Sequence, residues 1–287
     1  MLRSVTTAPE PLGEPPVVAP VAPFLRWAGS KRWLLPHLEA RLPKEWKSYH
    51  EPFLGSGAVF LGLVPRGEAY LSDALAPLVQ CFQTVRDQPS QVAKRANSWA
   101  TNPEKFYEIR AAKFSNEVDR AARFIYLNKL CFNGLYRENR SGQFNVPYGR
   151  PKSSRIIIDG QLEVVAKRLG AARIENIDFE DSLARCQPES LVYLDPPYVA
   201  GHRSNGFVDY NAKIFSWDDQ KRLAEKFRQL SRSGVHVLLS NADHPSVREL
   251  YPNSEIIALD RYSSMSGRVA NRGRSAELLV LSDSLRK

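Results

Sequence analysis

The sequence predicts an α/β fold in which a helical and hairpin segment interrupts the sheet-forming part of the chain. Apolar runs with the length of buried strands, such as Leu191 to Leu194 and Val235 to Ser240, alternate with segments of helical period. From Ala74 to Phe132 the apolar positions recur three and four residues apart, which is typical of helices. At 287 residues the chain is long enough for one large α/β core with an insertion.

The composition is that of a basic, globular protein. Lys and Arg number 40 against 31 Asp and Glu, and the resulting net charge of +9 favours a polyanionic partner. Three cysteines, Cys81, Cys131 and Cys186, show neither metal-ligand spacing nor a disulfide pattern. No apolar run approaches the length of a membrane span, and the amino terminus lacks a signal-peptide core. We therefore expect a cytoplasmic protein with no metal and no membrane contact.

The first organised motif follows a proline-rich stretch, residues 1–21, which predicts a flexible tail. From Phe24 to Lys31 a Gly-Ser turn separates an aromatic residue from a helix-like apolar pattern. Because helix starts attract anions, Lys31 beside this turn could hold a carboxylate, and Trp27 could cover a flat or sulfonium-bearing ligand. The alternative is a buried Trp27 with a solvated Lys31.

A glycine-rich strand-to-helix turn comes next, from Glu51 to Gly57. Its glycines allow a ligand to approach the backbone closely. Asp73 follows the next apolar run at about the 20-residue spacing expected of an acid that binds ribose hydroxyls. Together these features predict a nucleoside site, whereas the turn alone is also compatible with close packing.

The segment from Asp195 to Tyr198, Asp-Pro-Pro-Tyr, ends a buried strand. Proline has no amide hydrogen, so two prolines stop the strand and leave Asp195 at its carboxyl end, where open α/β sheets bind ligands. The Asp195 carboxylate and the Pro196 carbonyl can only accept hydrogen bonds, and Tyr198 offers a flat ring. This group suits a planar amine and predicts N-methylation of a nucleobase. The alternative is a simple turn with a capping or solvated carboxylate.

Two further segments carry candidate ligand contacts. A strand from Arg173 to Ile177 would deliver Asp178 and Phe179 to the same edge as Asp195, where they could serve an adenine ring or be a loop acid and a core aromatic. From Phe132 to Lys152, aromatics, arginines and turn residues predict a β-hairpin turning near Ser141-Gly142. Such a basic ribbon suits a DNA groove, although it could also be an ordinary surface hairpin.

The later chain completes the α/β alternation. A helix is predicted from Gln161 to Leu169, and another follows Ser216, with Asp219 in a capping-box position. Strands are predicted from Glu255 to Leu259 and from Glu277 to Leu281. Between these two strands lies a basic linker that could touch DNA phosphates.

The order of these motifs resembles that of the Dam-like family of DNA adenine-N6 methyltransferases. The stretch from Phe24 to Lys31 looks like the family's opening cofactor motif, Glu51 to Gly57 like its glycine motif, and Asp195 to Tyr198 like its catalytic motif. Asn128 to Leu135 and Phe144 to Gly149 look like the two arms of its DNA-reading hairpin.

This resemblance implies a Rossmann-like methyltransferase sheet, mostly parallel with an antiparallel edge strand, and an inserted helical plus β-hairpin DNA-recognition domain. Residues 22–75 and 156–287 would form the catalytic, cofactor-binding domain, and residues 76–155 the recognition domain. The implied methyl donor is S-adenosyl-L-methionine, and the partner is double-stranded DNA whose target adenine is flipped out. We expect a monomer in solution, bacterial or phage-encoded.

The candidate site residues, taken from the motifs, the basic linker and the resemblance together, fall into three sets. The catalytic residues are Asp195, Pro196, Pro197 and Tyr198. The cofactor contacts are Trp27, Ala28, Gly29, Lys31, Glu51, Pro52, Phe53, Gly55, Ser56, Gly57, Asp73, Asp178, Phe179 and Asp195. The DNA contacts are Phe132, Asn133, Gly134, Leu135, Arg137, Asn145, Pro147, Tyr148, Arg150, Lys152, Arg268, Arg272 and Arg274.

Other functions stay open on the residues alone. Cytosine-N4 transfer is the nearest alternative because cytosine presents a similar amine. A DNA-binding protein that has lost catalysis and an N-methyltransferase acting on RNA or a protein amide are the others. Cytosine-C5 transfer is disfavoured, since it needs a cysteine nucleophile, usually after proline, and no cysteine here follows proline.

Overall fold

The structure is a computed structural model that describes residues 20–63, 65–151, 155–198, 215–262 and 274–286. Its strands are β1 (Ser48–Glu51), β2 (Glu68–Ser72), β3 (Arg173–Glu175), β4 (Leu191–Leu194), β5 (His236–Ala242), β6 (Glu255–Tyr262) and β7 (Arg274–Leu281). They form one sheet in the order β3-β2-β1-β4-β5-β7-β6. The predicted tail lies outside the described residues as far as residue 19.

The sheet is parallel from β3 through β5, and antiparallel pairing is confined to the end where β7 lies between β5 and β6. The predicted mostly parallel α/β sheet is therefore confirmed. Its strand order places β1 and β4 side by side at the centre, so Glu51 and Asp195, which end or follow these strands, reach the same edge.

The helices are α1 (Leu35–Glu39), α2 (Ala58–Leu63), α3 (Ala76–Asp87), α4 (Pro89–Asn97), α5 (Pro103–Ala111), α6 (Glu117–Leu130), α7 (Gln161–Leu169), α8 (Phe179–Leu183), α9 (Trp217–Arg232) and α10 (Pro245–Arg248). Helices α3 to α6 belong to the segment predicted to be helical, and α6 packs against α3, α4 and α5. The division into domains at residues 75 and 156 stays a prediction.

Alternate residues of the central strands enter two different cores. Leu191 and Tyr193 of β4 join a large cluster with the helices of the inserted segment, whereas Val192 and Leu194 join a second cluster that includes Leu223 of α9. A strand places successive side chains on opposite faces, so a fully apolar strand predicts burial on both faces of the sheet. No helix in the described ranges is long and apolar enough to cross a membrane.

Two local expectations need correction in detail. The helix expected after Ser30 is a 3₁₀ turn, Lys31–Leu34, followed by α1, and Pro36 lies in the first turn of α1, where proline fits a helix start. The strand predicted from Arg173 to Ile177 ends at Glu175. The helix after Ser216 is confirmed together with its capping box, in which Ser216 and Asp219 bind each other's backbone N–H.

The hairpin turns where the sequence predicts, with Gly142 donating to the Asn139 carbonyl at 3.0 Å. Its strand pairing consists of two isolated antiparallel bridges, Cys131 to Tyr148 and Glu138 to Phe144. The hairpin therefore depends on contacts with its surroundings as well as on its own hydrogen bonds.

The base of the hairpin is fastened to the segment that precedes Lys31 by the buried amide of Asn128 on α6. Asn128 Oδ1 accepts from the Arg26 amide at 2.8 Å, and Nδ2 donates to the carbonyls of Arg26 at 2.6 Å and Gly134 at 3.3 Å. One side chain thus ties the inserted segment to the predicted cofactor motif.

We expect Gly134→Ala to destabilise the protein more than Gly142→Ala. Both glycines have left-handed backbones, with φ of 65° and 71°, so each alanine carries a penalty of about 1–2 kcal/mol. An added Cβ meets nothing within 4 Å at Gly142, but at Gly134 it lies 2.5 Å from Arg26 Cβ. Overpacking should add about 1–3 kcal/mol at Gly134, measured by urea unfolding. Equal losses would contradict the tight docking of the hairpin base.

Candidate active site

A cavity of about 1040 Å³ opens where β1, β2 and β4 end. Parallel strands bring their carboxyl ends to one edge, and the segments that follow them supply the walls. All four residues predicted to be catalytic line this cavity, and so do all those predicted to contact a cofactor except Gly57. The sequence therefore identified most of the lining from separate motifs.

Asp195 presents one engaged and one unengaged oxygen. Oδ1 accepts a hydrogen bond from Ser240 Oγ at 2.9 Å and lies 3.0 Å from Lys31 Nζ. Oδ2 accepts no hydrogen bond within the described part of the chain, and 22% of the side chain is exposed. Burial raises the pKa of Asp195, although Lys31 and Ser240 act to lower it.

The carbonyl groups of the two prolines also differ in whether they accept a hydrogen bond from the described residues. The Pro197 carbonyl accepts a hydrogen bond from Gln220 Nε2 at 3.1 Å. No described residue donates to the Pro196 carbonyl, although Pro196 lines the cavity. Asp195 Oδ2 and the Pro196 carbonyl are thus two neighbouring acceptors available to a ligand that carries two N–H groups.

Lys31 is buried among protein groups of opposite charge. Its Nζ donates to the Gly29 carbonyl at 2.9 Å and lies 3.0 Å from Asp195 Oδ1 and 3.6 Å from Glu277 Oε2. It also lies 4.5 Å from the centre of the Tyr198 ring. The sequence predicted that Lys31 would hold a ligand's carboxylate, and the structure gives it two carboxylates of the protein.

Three polar residues of this network were missed by the sequence analysis. Glu277 Oε2 accepts a hydrogen bond from Tyr198 Oη at 2.7 Å, and Tyr193 Oη lies 2.8 Å from Ser240 Oγ. The one available signal was Glu277 itself, a carboxylate directly before the apolar run Leu278 to Leu281 of β7. A buried charge needs a partner, so it was a candidate for pairing.

Asp73 organises the glycine turn. Its Oδ2 accepts from the Gly55 amide at 3.0 Å and its Oδ1 from the Leu75 amide at 2.9 Å. Gly55 has a φ of 49°, and an added Cβ would lie 3.0 Å from Trp27 Nε1, so glycine is needed for both conformation and space. Gly57 shapes the turn by donating to the Leu54 carbonyl at 2.7 Å.

Glu51 is a buried carboxyl in the wall of the cavity. Its Oε2 accepts hydrogen bonds from Tyr49 Oη at 2.7 Å and from the Phe60 amide at 3.0 Å. Burial raises the pKa of Glu51 to about 8 in spite of these two donors. A positively charged ligand group beside Glu51 would favour the ionised form.

Two groups of aromatic rings border the cavity. Trp27 stacks near Tyr136 of the hairpin and Phe124 of α6, with ring centres 6.3 and 6.5 Å away. On the other side, rings from three segments contact one another with centres 5.5 to 5.7 Å apart; they are Phe53, Phe179 and Phe215. Phe215 was not predicted, because no motif surrounds it.

Asp178 has a structural role that the sequence analysis did not foresee. It caps α8 by accepting from the Glu180 amide at 2.9 Å, and it lies 3.2 Å from Arg222 of α9. The Arg222 guanidinium also lies 4.9 Å from the centre of the Phe179 ring. Asp178 and Phe179 line the cavity, and their positions are fixed from behind by Arg222.

The residues predicted to bind DNA are partly gathered at the mouth of the cavity. Those that line it are Phe132, Gly134, Leu135, Arg137 and Pro147. The exposed Asn133 and Arg150 have left-handed backbones, with φ of 55° and 51°. Tyr148 is turned toward the helices, where its hydroxyl donates to the Thr101 carbonyl at 2.5 Å.

Asn145 accepts from Arg137 Nε at 2.8 Å and so braces Arg137 across the hairpin. Lys152, Arg268 and Arg272 lie outside the described residues, as does the side chain of Arg274 at the start of β7. In the described ranges no group of three or more His, Cys, Asp or Glu is arranged to hold a metal ion.

Comparisons with known proteins agree with one another. The family model of the D12 class N6 adenine-specific DNA methyltransferases matches residues 27–265. The type II methyltransferase M1.LlaDCHI of Lactococcus lactis subsp. cremoris is 35% identical, covering 90% of this chain and 94% of its own. The type II methyltransferase M.MjaIII of Methanocaldococcus jannaschii is 38% identical over 77% and 84% of the two chains. The DNA adenine methylase of Escherichia coli K12 is 34% identical over 90% and 94%.

We expect Lys31→Met to destabilise the fold by about 3–5 kcal/mol, because it removes the buried ammonium that pairs with Asp195 and Glu277. Removal of the Lys31 ammonium raises the pKa of Asp195 further. The loss of stability should therefore become smaller as the pH falls and the carboxyls take up protons. Lys47→Met is the matched control, since the Lys47–Glu189 pair is exposed and screened by water. Urea unfolding between pH 5 and 8 is the measurement. A similar, pH-independent loss in both variants would contradict this role of Lys31.

We expect the effect of Glu51→Gln on stability to depend on pH. In the folded protein the pKa of Glu51 is raised to about 8 by burial, whereas the ordinary value is 4.5. The native protein therefore loses stability as the pH rises from about 5 to 8, and the variant lacks this loss. The free energy of unfolding of the variant minus that of the native protein should therefore increase over this range and stay constant at higher pH. A constant difference from pH 5 to 9 would show that the Glu51 pKa is ordinary.

Proposed function

Because this chain belongs to the D12 class N6 adenine-specific DNA methyltransferases, its activity is the methylation of adenine N6 in DNA, and we propose that Asp195 and Pro196 hold the reacting amino group. The observation that carries this assignment is a pair of acceptors in the wall of the cavity, Asp195 Oδ2 and the Pro196 carbonyl, to which no residue in the described ranges donates. We further propose that the target adenine is flipped out of a DNA duplex to reach them.

The proposed methyl donor is S-adenosylmethionine, which would supply an electrophilic methyl group on a sulfonium. The side chains of the cavity fit such a ligand, because buried carboxyls suit its positive charges and aromatic rings suit its adenine. Asp73 would accept from the ribose hydroxyls, Glu51 would face the amino group, and Trp27 would lie near the sulfonium. Phe53, Phe179 and the newly found Phe215 would pack around the adenine.

The glycine turn would bring the backbone close to the same ligand. Gly55 and Ser56 line the cavity with Ala28 and Gly29 from the preceding motif. Asp73 already holds the Gly55 amide, so its contribution would combine a direct contact with the shape of the turn. Lys31 would act mainly on Asp195, to which it is already paired.

The protein's part in the chemistry is to hold and orient the amine. Asp195 Oδ2 and the Pro196 carbonyl would each accept one N–H of the N6 amino group, which directs its lone pair out of the ring plane toward the methyl donor. Lys31 and Ser240 fix Oδ1, so the carboxylate cannot rotate freely. The amino group needs no general base before it reacts, and positioning with electrostatics accounts for the acceleration.

The same two acceptors could hold the amine of cytosine, and the family match favours adenine. A cysteine nucleophile for cytosine-C5 transfer is not supported, because Cys81, Cys131 and Cys186 do not line the cavity. Burial raises the pKa of both Cys131 and Cys186 to about 12, which keeps these thiols unreactive.

The proposed DNA contacts centre on the hairpin at the cavity mouth. Arg137 donates only its Nε within the described residues, so its terminal nitrogens could form a bidentate pair with guanine. Phe132 is exposed beside the cavity and could fill the space of an extruded base. We propose that the protein acts as a monomer on duplex DNA in the cytoplasm, and that residues 76–155 serve as its recognition domain.

The direct test of the function is expression in a methylation-free host, followed by sequencing that detects modified bases. We expect N6-methyladenine in one sequence context. Asp195→Ala should abolish the mark while DNA binding is kept, and Asp195→Asn should reduce turnover by about 100-fold or more. The exposed Asp218→Asn is the matched control and should methylate normally. Near-native turnover in Asp195→Ala would refute the role of Asp195.

We expect Arg137→Ala to weaken binding to the preferred site by about 1–3 kcal/mol and to relax discrimination at one base pair. The exposed Arg140, also in the hairpin, serves for comparison, and Arg140→Ala should weaken cognate and scrambled duplexes by similar factors. Binding titrations with both duplexes at several salt concentrations are the measurement. If Arg137→Ala weakens both duplexes equally, the hairpin contacts only the DNA backbone there.

A further inference from the structure

We propose that Glu277 is a positioning residue for methyl transfer, which holds Tyr198 in place and shares Lys31 with Asp195 so that the ammonium does not fully offset the charge that Asp195 presents to the substrate amine. This inference rests on the function proposed above for the Asp195 site. It concerns a residue that lies far from every recognised motif in the sequence and joins the site only in the folded sheet.

The contacts of Glu277 point toward the catalytic motif. Its carboxylate is buried, with 8% of the side chain exposed, and Oε2 accepts from Tyr198 Oη at 2.7 Å. The same oxygen lies 3.6 Å from Lys31 Nζ, which in turn lies 3.0 Å from Asp195 Oδ1. Glu277 is thus one residue removed from the proposed acceptor through the Lys31 ammonium, and it also binds Tyr198 of the same motif.

The antiparallel direction of β7 explains why Glu277 reaches this edge. Glu277 lies in the first half of β7 and pairs with Ala242, the last residue of β5. In a parallel strand an early residue would lie at the opposite edge of the sheet, away from Asp195. The reversal of this one strand therefore places a carboxylate at the ligand-binding edge.

The charge balance gives Glu277 a function beyond packing. Lys31 and Asp195 alone would form a neutral pair, whereas Glu277 draws on the same ammonium, so Lys31 is not available to Asp195 alone. In the transfer, the lone pair of the amino nitrogen forms the new N–C bond while the C–S electrons pass to sulfur. Positive charge then resides on the amino group until a proton leaves to water. Because Lys31 is shared, the negative charge of Asp195 is only partly offset and stabilises the positive charge on the amino group as it develops.

Glu277 also fixes the ring that would lie against the base. Tyr198 follows two prolines, whose fixed φ angles restrict the path of the chain that leads to it, and its hydroxyl is anchored to Glu277 at the far end of the side chain. The ring plane is therefore held from both ends, with Lys31 on one face. A stacking surface that is fixed before binding lowers the entropy lost when the base enters.

The test compares Glu277→Gln with Glu255→Gln. The first variant keeps an oxygen acceptor for Tyr198 but removes the charge, whereas Glu255 lies on β6, pairs with Arg41 and has no contact with the site. With cognate duplex, Glu277→Gln should lower kcat by about 10- to 100-fold. The KM for DNA, the Kd for S-adenosylhomocysteine and the unfolding midpoint should change little. Glu277→Asp, which keeps the charge, should recover part of kcat, and Glu255→Gln should match the native enzyme.

The pH profile supplies a readout that packing alone would not change. Charge on Glu277 raises the pKa of Asp195, so the acid limb of kcat against pH should move to lower pH in Glu277→Gln. The other titratable groups that act on or respond to Asp195 are present in both proteins; they are Lys31, Glu51, Tyr193 and Tyr198.

Each result decides between specific statements. If the native enzyme methylates adenine and Glu277→Gln matches it in kcat and pH profile, the inference about Glu277 is wrong while the proposed function stands. If Glu277→Gln loses kcat, ligand binding and folding stability together, with no shift of the acid limb, Glu277 is structural only. Absence of adenine methylation by the native enzyme would instead overturn the proposed function.

Discussion

The structure of the active site depends on one buried ammonium group shared by two carboxylates. Lys31 comes from the turn before α1, Asp195 from the end of β4 and Glu277 from β7, so the ion pairs join three distant parts of the chain. Burial makes any unpaired member of this set unfavourable, and the three segments must therefore fold together. The same constraint leaves one oxygen of Asp195 available to a ligand, because Lys31 and Ser240 both bind the other.

Around this centre, the residues that line the cavity are held by one another and by residues behind them. Asp73 fixes the Gly55 amide, Gly55 in turn leaves room for Trp27, and Trp27 stacks near Tyr136 of the hairpin. Arg222 holds Asp178 from behind. The cavity is consequently shaped before any ligand enters, which is the condition under which positioned hydrogen-bond acceptors are most effective in catalysis.

Local signals in the sequence were enough to predict the fold class and most of the cavity wall. The two prolines after Asp195 stop β4, and the turn at Gly55 joins β1 to α2, because each feature acts within a few residues of itself. Glu277 and Ser240 could not be assigned, since their partners depend on the order and direction of β5 and β7 in the sheet. The pairing of Lys31 with Asp195 and Glu277 could not be predicted for the same reason, because these partners lie far along the chain.

The amide of Asn128 bears on how sequence preference can diverge within this architecture. By bonding Arg26 and Gly134 at once, it fixes the base of the hairpin to the catalytic half of the molecule. Farther along the hairpin, Arg137 and Arg140 are exposed and do not pack in the core. Under the DNA-reading role proposed for the hairpin, substitutions at its tip would alter which base pairs are recognised without disturbing the chemistry, so the reading of new DNA sites could evolve separately from the methylation step.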